Sequence, residues 1–343
     1  MLITILDDSV PFDGESPTTQ PLGGPEKAVV GLAAALARRG HVVRVFNRCA
    51  RAVVVDGVSW QPLDDCKAAH SDWLIAHRKP LLLSLVPEAD RRALWVSGPP
   101  GYLANGQHYA KLSDYRPILT FQSLAHTAAV PQALNTFRAQ TVVPGVGESY
   151  LNAAEMAPAA PPRAVVTTHP AHGLDWLLKL WVDDIFPRVP WAELHIYSGT
   201  LERGELGGEV AESLRPVLAQ AMAARKQSVH FRPPLPDPEM AEVYRFARVH
   251  LYPGHDRDML CTTLAESQAV GLPAVARARG AVKERIINGQ TGFLAPDDEA
   301  FVNLAVRLLD DQPTFDQLSA KARDLQRSRG WDRVAQDFEG FLT

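Results

Sequence analysis

The sequence predicts an α/β protein built from two doubly wound domains joined by one linker. Three observations carry this. Short apolar runs alternate with amphipathic stretches along the chain, the pattern of repeated βαβ units. The alternation breaks at 157–162, APAAPP, where three prolines in six residues make the chain extended and stiff, and then restarts. A length of 343 residues is also long for one core. The expected divisions are residues 1–156, a linker at 157–162, a second domain at 163–328, and a terminal segment at 329–343.

In the first half, Leu2 to Leu6 is an apolar run that fits a buried parallel strand. A polar loop with glycine and proline leads into a helix over Glu26 to Arg39. Its apolar face is Val29, Val30, Leu32, Ala33 and Leu36, and Gly40 suits its end. His41 to Phe46 is the next strand, which completes a right-handed βαβ unit. Ala52 to Trp60 reads as a hairpin turning at Asp56-Gly57. Strands are expected at Trp73 to Ile75, Leu81 to Leu83, Ala93 to Val96, Pro117 to Phe121 and Gln140 to Val143.

After the linker, strands are expected at Ala164 to Thr168, Leu194 to Ser198, Val229 to Arg232, Val249 to Tyr252, Ala274 to Ala276 and Gly292 to Ala295. Helices are expected at Leu174 to Val182, Glu209 to Ala224, Pro238 to Ala247, Val282 to Asn288, Glu299 to Asp310 and Thr314 to Arg327. A terminal helix at Trp331 to Phe341 has Val334, Ala335, Phe338 and Phe341 on one face. Trp176, Trp181 and Trp191 are expected to pack on the second sheet.

Bulk properties narrow the function. A net charge of −4 argues against a nucleic-acid binder. Cys49, Cys66 and Cys261 are far apart, lack metal-ligand spacing and read as free thiols of a reducing compartment, so a cytoplasmic location is expected. The opening MLITILDDSV reads as a strand and not as a signal peptide. No apolar run approaches the roughly 18 residues of a membrane span. Asp7, Asp8 and Asp13 read as a solvated acidic loop. Arg38, Arg39, Arg44, Arg48 and Arg51 form a basic area that leaves room for a peripheral membrane contact.

The richest stretch is 249–276. A short strand stops at Pro253-Gly254, a polar loop carries Asp258, and a small-residue helix carries Glu266 before the next strand. A helix N-terminus beyond a strand end offers free N–H groups and a favourable dipole to an anion. Glu266, about one turn into the helix, could accept hydrogen bonds from a vicinal diol, as acids do in dinucleotide folds; the alternative is a solvated acid. Acid and anion site together fit a ligand with both phosphates and hydroxyls.

The segment YPGHDRDMLCTTLAESQAVGLPAVA resembles the donor-site signature of glycosyltransferase family 4. Gly280 to Ile286 and NGQTGFLAPDD continue the resemblance, as do LGGPEKAVVGLAAALARRGHVVRVF near the N-terminus and VVPGVGESY before the linker. The resemblance implies the GT-B fold, in which two Rossmann-like domains face each other across a cleft and the last helix returns to the first domain. The first domain would then be the acceptor side and the second the nucleotide-sugar side. It implies sugar transfer from a nucleotide-diphospho-sugar, usually with retention, without a metal or other cofactor. Glu266 would hold the ribose hydroxyls and Asp258 would face the sugar. The amides of Cys261, Thr262 and Thr263 would reach sugar and diphosphate, and Gly23 and Gly24 would close on the diphosphate. The donor is expected to be a UDP-, GDP- or ADP-sugar, and the acceptor a glycan, a lipid-linked molecule or a small molecule.

The chain departs from the family pattern in three places. The first acid of the signature is usually Glu, and here it is Asp258, one methylene shorter, so the sugar would sit differently or reach it through water. An Arg and a Lys usually follow the first strand of the second domain and neutralise the leaving diphosphate. Here VVTTHPAHG puts Thr167 and His172 at those positions, with Arg163, Arg277, Arg279 and Lys283 as alternative cations. A His that often faces the sugar from the first domain is replaced by Ser97 or Gly98, and His126 is the better candidate for that catalytic role. The rival reading is a non-catalytic protein of the same fold that binds a nucleotide-sugar or partners an active transferase. A sugar-nucleotide epimerase would need histidines and acids that the sequence does not place. A nicotinamide oxidoreductase is disfavoured because no G-x-G-x-x-G follows the first strand.

Overall fold

The computed structural model describes residues 1–342; Thr343, the last residue of the expected terminal segment, lies outside the described residues. The chain divides into two compact units, 1–147 with 329 onward, and 148–328. The chain therefore leaves the first unit before the proline-rich stretch. Tyr150 donates to the Asp237 carboxylate at 2.8 Å within the second unit. The amides of Ala157 and Ala159 donate to the carbonyls of Arg245 and Phe246, so part of the expected linker is laid along the body of that unit.

The first unit holds eight strands: β1 (Leu2–Leu6), β2 (Val42–Asn47), β3 (Val53–Val55), β4 (Val58–Pro62), β5 (His70–His77), β6 (Glu88–Trp95), β7 (Ile118–Phe121) and β8 (Ala139–Thr141). Their order across the sheet is β3-β4-β2-β1-β5-β6-β7-β8. All neighbours run parallel except the β3–β4 hairpin. Asp56 and Gly57 both take positive φ, 50° and 77°, as a tight right-twisted turn requires. The strand order reverses direction between β1 and β5, which opens a crevice beyond their carboxyl ends.

The terminal helix Trp331–Leu342 packs against the helix Gly24–Arg38. Phe338 is fully buried, 5.5 Å from Trp95 and 4.9 Å from Phe341 between ring centroids. Arg38 pairs with Asp332 at 2.7 Å and Arg39 with Glu339 at 2.6 Å. These exposed pairs contribute at most about 1 kcal/mol each, whereas burying a Phe stabilises by about 1.5–3 kcal/mol, so packing dominates the dock. A Cβ on Gly31 would stand 2.3 Å from the Trp331 ring, so only glycine lets that indole seat on the helix. The pairings also reduce the free charge of the expected basic area. Among the described residues no helix is long and apolar enough to cross a membrane.

The second unit holds six parallel strands: β9 (Arg163–Val166), β10 (Glu193–Tyr197), β11 (Val229–Arg232), β12 (Val249–Tyr252), β13 (Ala274–Arg277) and β14 (Gly292–Ala295). Their order, β11-β10-β9-β12-β13-β14, is the doubly wound order with a switch point between β9 and β12. Trp181 is fully buried and donates its indole N–H to the Gln227 carbonyl at 2.8 Å. Trp176 packs against Phe301, while Trp191 is exposed, against expectation, because it follows Pro190 in the turn before β10.

Several expected elements differ. Leu81 to Leu83 is a 3-10 turn within Pro80–Ser84, not a strand; the leading proline lacks the N–H a sheet ladder needs. Val282 to Asn288 shrinks to a 3-10 turn at Val282–Glu284. The helix expected from Glu209 starts at Arg215, with Pro216 in its first turn. Helices Gly106–Tyr115 and Gly199–Glu205 were not expected; only Leu112 and Leu201 are buried in them, which leaves almost no apolar periodicity to read.

Candidate active site

The carboxyl ends of β9 and β12 bring together the residues singled out in the second half of the chain. After β12 the chain passes through Pro253 to Leu260 and enters the helix Thr262–Val270. Cys261 is the N-cap at φ 51°, a left-handed conformation that turns the backbone sharply into the helix. Thr262 and Thr263 are partly exposed at the first turn, and every later residue of the helix is buried. Glu266 is 3% exposed. Gly280 takes φ +55°, and a Cβ there would lie 2.5 Å from the Asp258 carbonyl and 2.6 Å from that of His255. The loop is thus packed onto the turn after β13, and the Ala281 amide donates to the Asp258 carbonyl at 2.9 Å.

Asp258 has both carboxylate oxygens engaged. His172 Nδ1 lies 2.7 Å from Oδ1, and the His255 amide donates to Oδ2 at 3.1 Å. The His172 ring stacks on His255 with centroids 4.4 Å apart and planes 11° from parallel. His169 sits beside His172, and its pKa is lowered by burial and then by the neighbouring imidazole. Thr167 Oγ1 donates to Thr263 Oγ1 at 2.8 Å and meets His250 Nε2 at 3.0 Å. Each of the two positions where cations were expected is therefore tied into the loop and helix rather than facing outward alone.

His250 was not singled out from the sequence. It is fully buried in β12, with Nδ1 2.8 Å from Ser267 Oγ on the helix. Burial pushes its pKa down to about 3, so it is neutral and acts as a polar rivet between β9, β12 and the helix. The one available signal was a histidine inside the apolar run VHLY. Burial also raises the Cys261 thiol to about 12, so it is a protonated thiol and not a thiolate nucleophile.

The alternative cations separate clearly. Arg163 opens β9 at the opposite end of the sheet and pairs with Glu193 at 3.2 Å. Arg277, at the end of β13, reaches the crevice. Its guanidinium donates to the carbonyls of Pro253 and Gly254, at 2.5 and 3.4 Å, and lies 3.8 Å over the Trp176 ring. A Cβ on Gly173 would be 2.8 Å from Arg277 Nη2, so the guanidinium lies beside the residue after His172. Arg279 and Lys283 are exposed.

In the first unit, Gly23 caps the helix Gly24–Arg38, and Glu26 is buried beneath it with one oxygen 2.7 Å from Arg78. His126 is fully enclosed in the short helix Leu124–Ala128, edge-on to Phe121, and burial lowers its pKa to about 4. Asp7 corrects the expectation of a solvated acidic loop: it is 1% exposed and bonded to His77, while Asp8 pairs with Lys79 at 2.6 Å. Two groups among the described residues approach metal-ligand geometry, Glu193 with His195 and His230, and His70 with Asp72 and Asp90. Both open their strands at the amino ends, away from the crevices.

Residues 164–311 match the family profile of glycosyl transferases group 1. The matched segment, a little under half of the chain, is similar to group 1 glycosyl transferases. A D-inositol 3-phosphate glycosyltransferase of Thermomonospora curvata is 37% identical over 106 residues, which is 30% of this chain and 24% of the relative. The corresponding protein of Thermobispora bispora is 32% identical over 38% of this chain and 32% of its own length. The chain thus spans a quarter to a third of these curated relatives. Solved structures cover it whole. Sucrose-phosphate synthase from Thermosynechococcus elongatus matches with a TM-score of 0.74 at 15% identity, over 99% of this chain and 98% of that one. Anabaena HepE, solved with UDP and glucose, matches with a TM-score of 0.69 at 15% identity over 99% and 98%. The fold is GT-B, and the matched segment contains the crevice between β9 and β12.

Proposed function

We propose that the protein is a glycosyltransferase that binds a nucleotide-diphospho-sugar on its second unit and transfers the sugar to an acceptor hydroxyl, with retention and without a metal. The observation that carries the reading is the switch-point crevice itself. There the partly exposed Thr262 and Thr263 and the buried Glu266 carboxylate, all on the helix Thr262–Val270, meet the Arg277 guanidinium from the end of β13, which bonds the turn after β12. Amides and helix dipole suit a diphosphate, Glu266 suits the ribose diol, and Arg277 supplies charge as the diphosphate departs. Asp258 is assigned to the sugar.

A second reading, a nucleotide-sugar binder without turnover, is favoured by Thr167 and His172 standing where an Arg and a Lys are usual. Calorimetric titration with UDP-, GDP- and ADP-glucose, followed by assay of nucleotide release with candidate acceptors, separates the two. Binding by one of the three, lost by at least about 10-fold in Glu266→Ala, is expected from the loss of a charge-assisted contact. Binding without release across acceptors supports the second reading. No binding, or binding untouched by Glu266→Ala, overturns both.

A further inference from the structure

The first unit has its own switch point, between β1 and β5, and three side chains meet there in a defined order. Asp7 follows β1, His77 ends β5 and Ser97 follows β6. His77 Nδ1 lies 2.6 Å from Asp7 Oδ2, and His77 Nε2 lies 2.9 Å from Ser97 Oγ. Asp7 and His77 are 1% and 0% exposed, while Ser97 is only half-buried. The other Asp7 oxygen accepts from the Ser9 amide and hydroxyl, which fixes the carboxylate. Burial raises the Asp7 pKa, but the His77 and Ser9 donors outweigh it and the net shift is downward, so the acid is ionised. An ionised carboxylate only accepts, so Nδ1 of His77 carries a proton. In the neutral imidazole Nε2 is then the acceptor, and the Ser97 hydroxyl donates to it. Gln122 Nε2 donates to Ser97 Oγ at 2.8 Å and holds it in place. Gly98 follows at φ +79° with nothing within 4 Å of the position of a Cβ, so the loop is open beside the hydroxyl.

We infer that Ser97 is a nucleophile activated by His77 and Asp7, and that the first unit carries an esterase-type site for small acyl esters. This does not rest on the nucleotide-sugar reading, since it uses neither the second unit nor a nucleotide. Carboxylate, imidazole and hydroxyl stand in the order that general-base activation of a serine requires. Ser97 Oγ attacks the ester carbonyl carbon and its proton passes to His77 Nε2. The ester C–O bond breaks, the alkoxide leaves with that proton, and the acyl group remains on Ser97. Water then attacks the acyl-serine, gives a proton to His77, and releases the carboxylic acid as the proton returns to Ser97.

The test exposes the full chain to a fluorophosphonate probe and reads the adduct by intact mass and peptide mapping; p-nitrophenyl acetate then reports an acylation burst. One adduct per chain at Ser97 is expected, absent in Ser97→Ala and formed roughly 100-fold or more slowly in His77→Gln. No adduct at Ser97, or an equal rate in a folded His77→Gln, overturns the assignment. Should that variant fail to fold by circular dichroism, the half-buried Ser97→Ala decides: an adduct or burst that persists in it refutes the proposal.

Discussion

Acid should weaken the second unit more steeply than the first, and His250 should be a main cause. His250 is neutral in the fold down to about pH 3 because burial disfavours its charged form. The unfolded chain takes up that proton near pH 6.5. Between those values the unfolded state binds more protons, so the contribution is complete above about pH 6.5 and is lost as pH falls. Each such histidine costs about 1.4 kcal/mol of stability per pH unit in that window. His195, held down to about 4 chiefly by burial, adds a second in the same unit. His169 and His230 shift in the same direction. The first unit has His126, at about 4, while His70 there is raised and acts in the opposite sense. The substitution His250→Gln loses one of the two hydrogen bonds and should cost about 1–3 kcal/mol near neutral pH. It should also flatten the acid slope of the second unit by about 1.4 kcal/mol per pH unit. Calorimetric melts at steps between about pH 6.5 and about pH 5, where ordinary carboxylates remain largely ionised, read both effects. Equal slopes for wild type and His250→Gln would refute the argument that this imidazole is buried uncharged.

Two further outcomes follow from packing. Phe338→Ala empties a fully buried site between Trp95 and Phe341 and should destabilise the first unit by about 3–5 kcal/mol in urea unfolding, against at most about 1 kcal/mol for Asp332→Ala. Gly280→Ala must accept a positive φ and push two carbonyls away from its Cβ. It should cost at least about 2 kcal/mol and weaken nucleotide binding roughly 10-fold by displacing the Asp258 loop, both measurable by thermal shift with and without ligand.

Much of this protein was legible in its sequence because much of its structure is periodic. The apolar runs that became β1, β9 and β13 are buried parallel strands of nearly unbroken hydrophobicity, while β10, β11 and β12 kept an apolar majority around a histidine. Glu266 and the small-residue helix were legible because a turn, a helix start and an acid one turn later are local features. Leu81 to Leu83 misled because Leu82 and Leu83 are buried from a 3-10 turn as they would be from a strand, while Leu81 is exposed. Helix Gly106–Tyr115 was missed because it buries almost nothing.

The sequence by itself determined two α/β halves, a helix that ends the chain with one apolar face, and a loop-to-helix segment suited to phosphate and hydroxyls. Tertiary structure alone decided which distant side chains meet. Strand order set the crevices, and strand order depends on crossovers that leave no mark in local periodicity. It brought His172 to Asp258, Arg277 beside Gly173, and His77 between Asp7 and Ser97. Each is a contact between residues tens of positions apart, fixed by the packing of whole sheets rather than by any spacing along the chain.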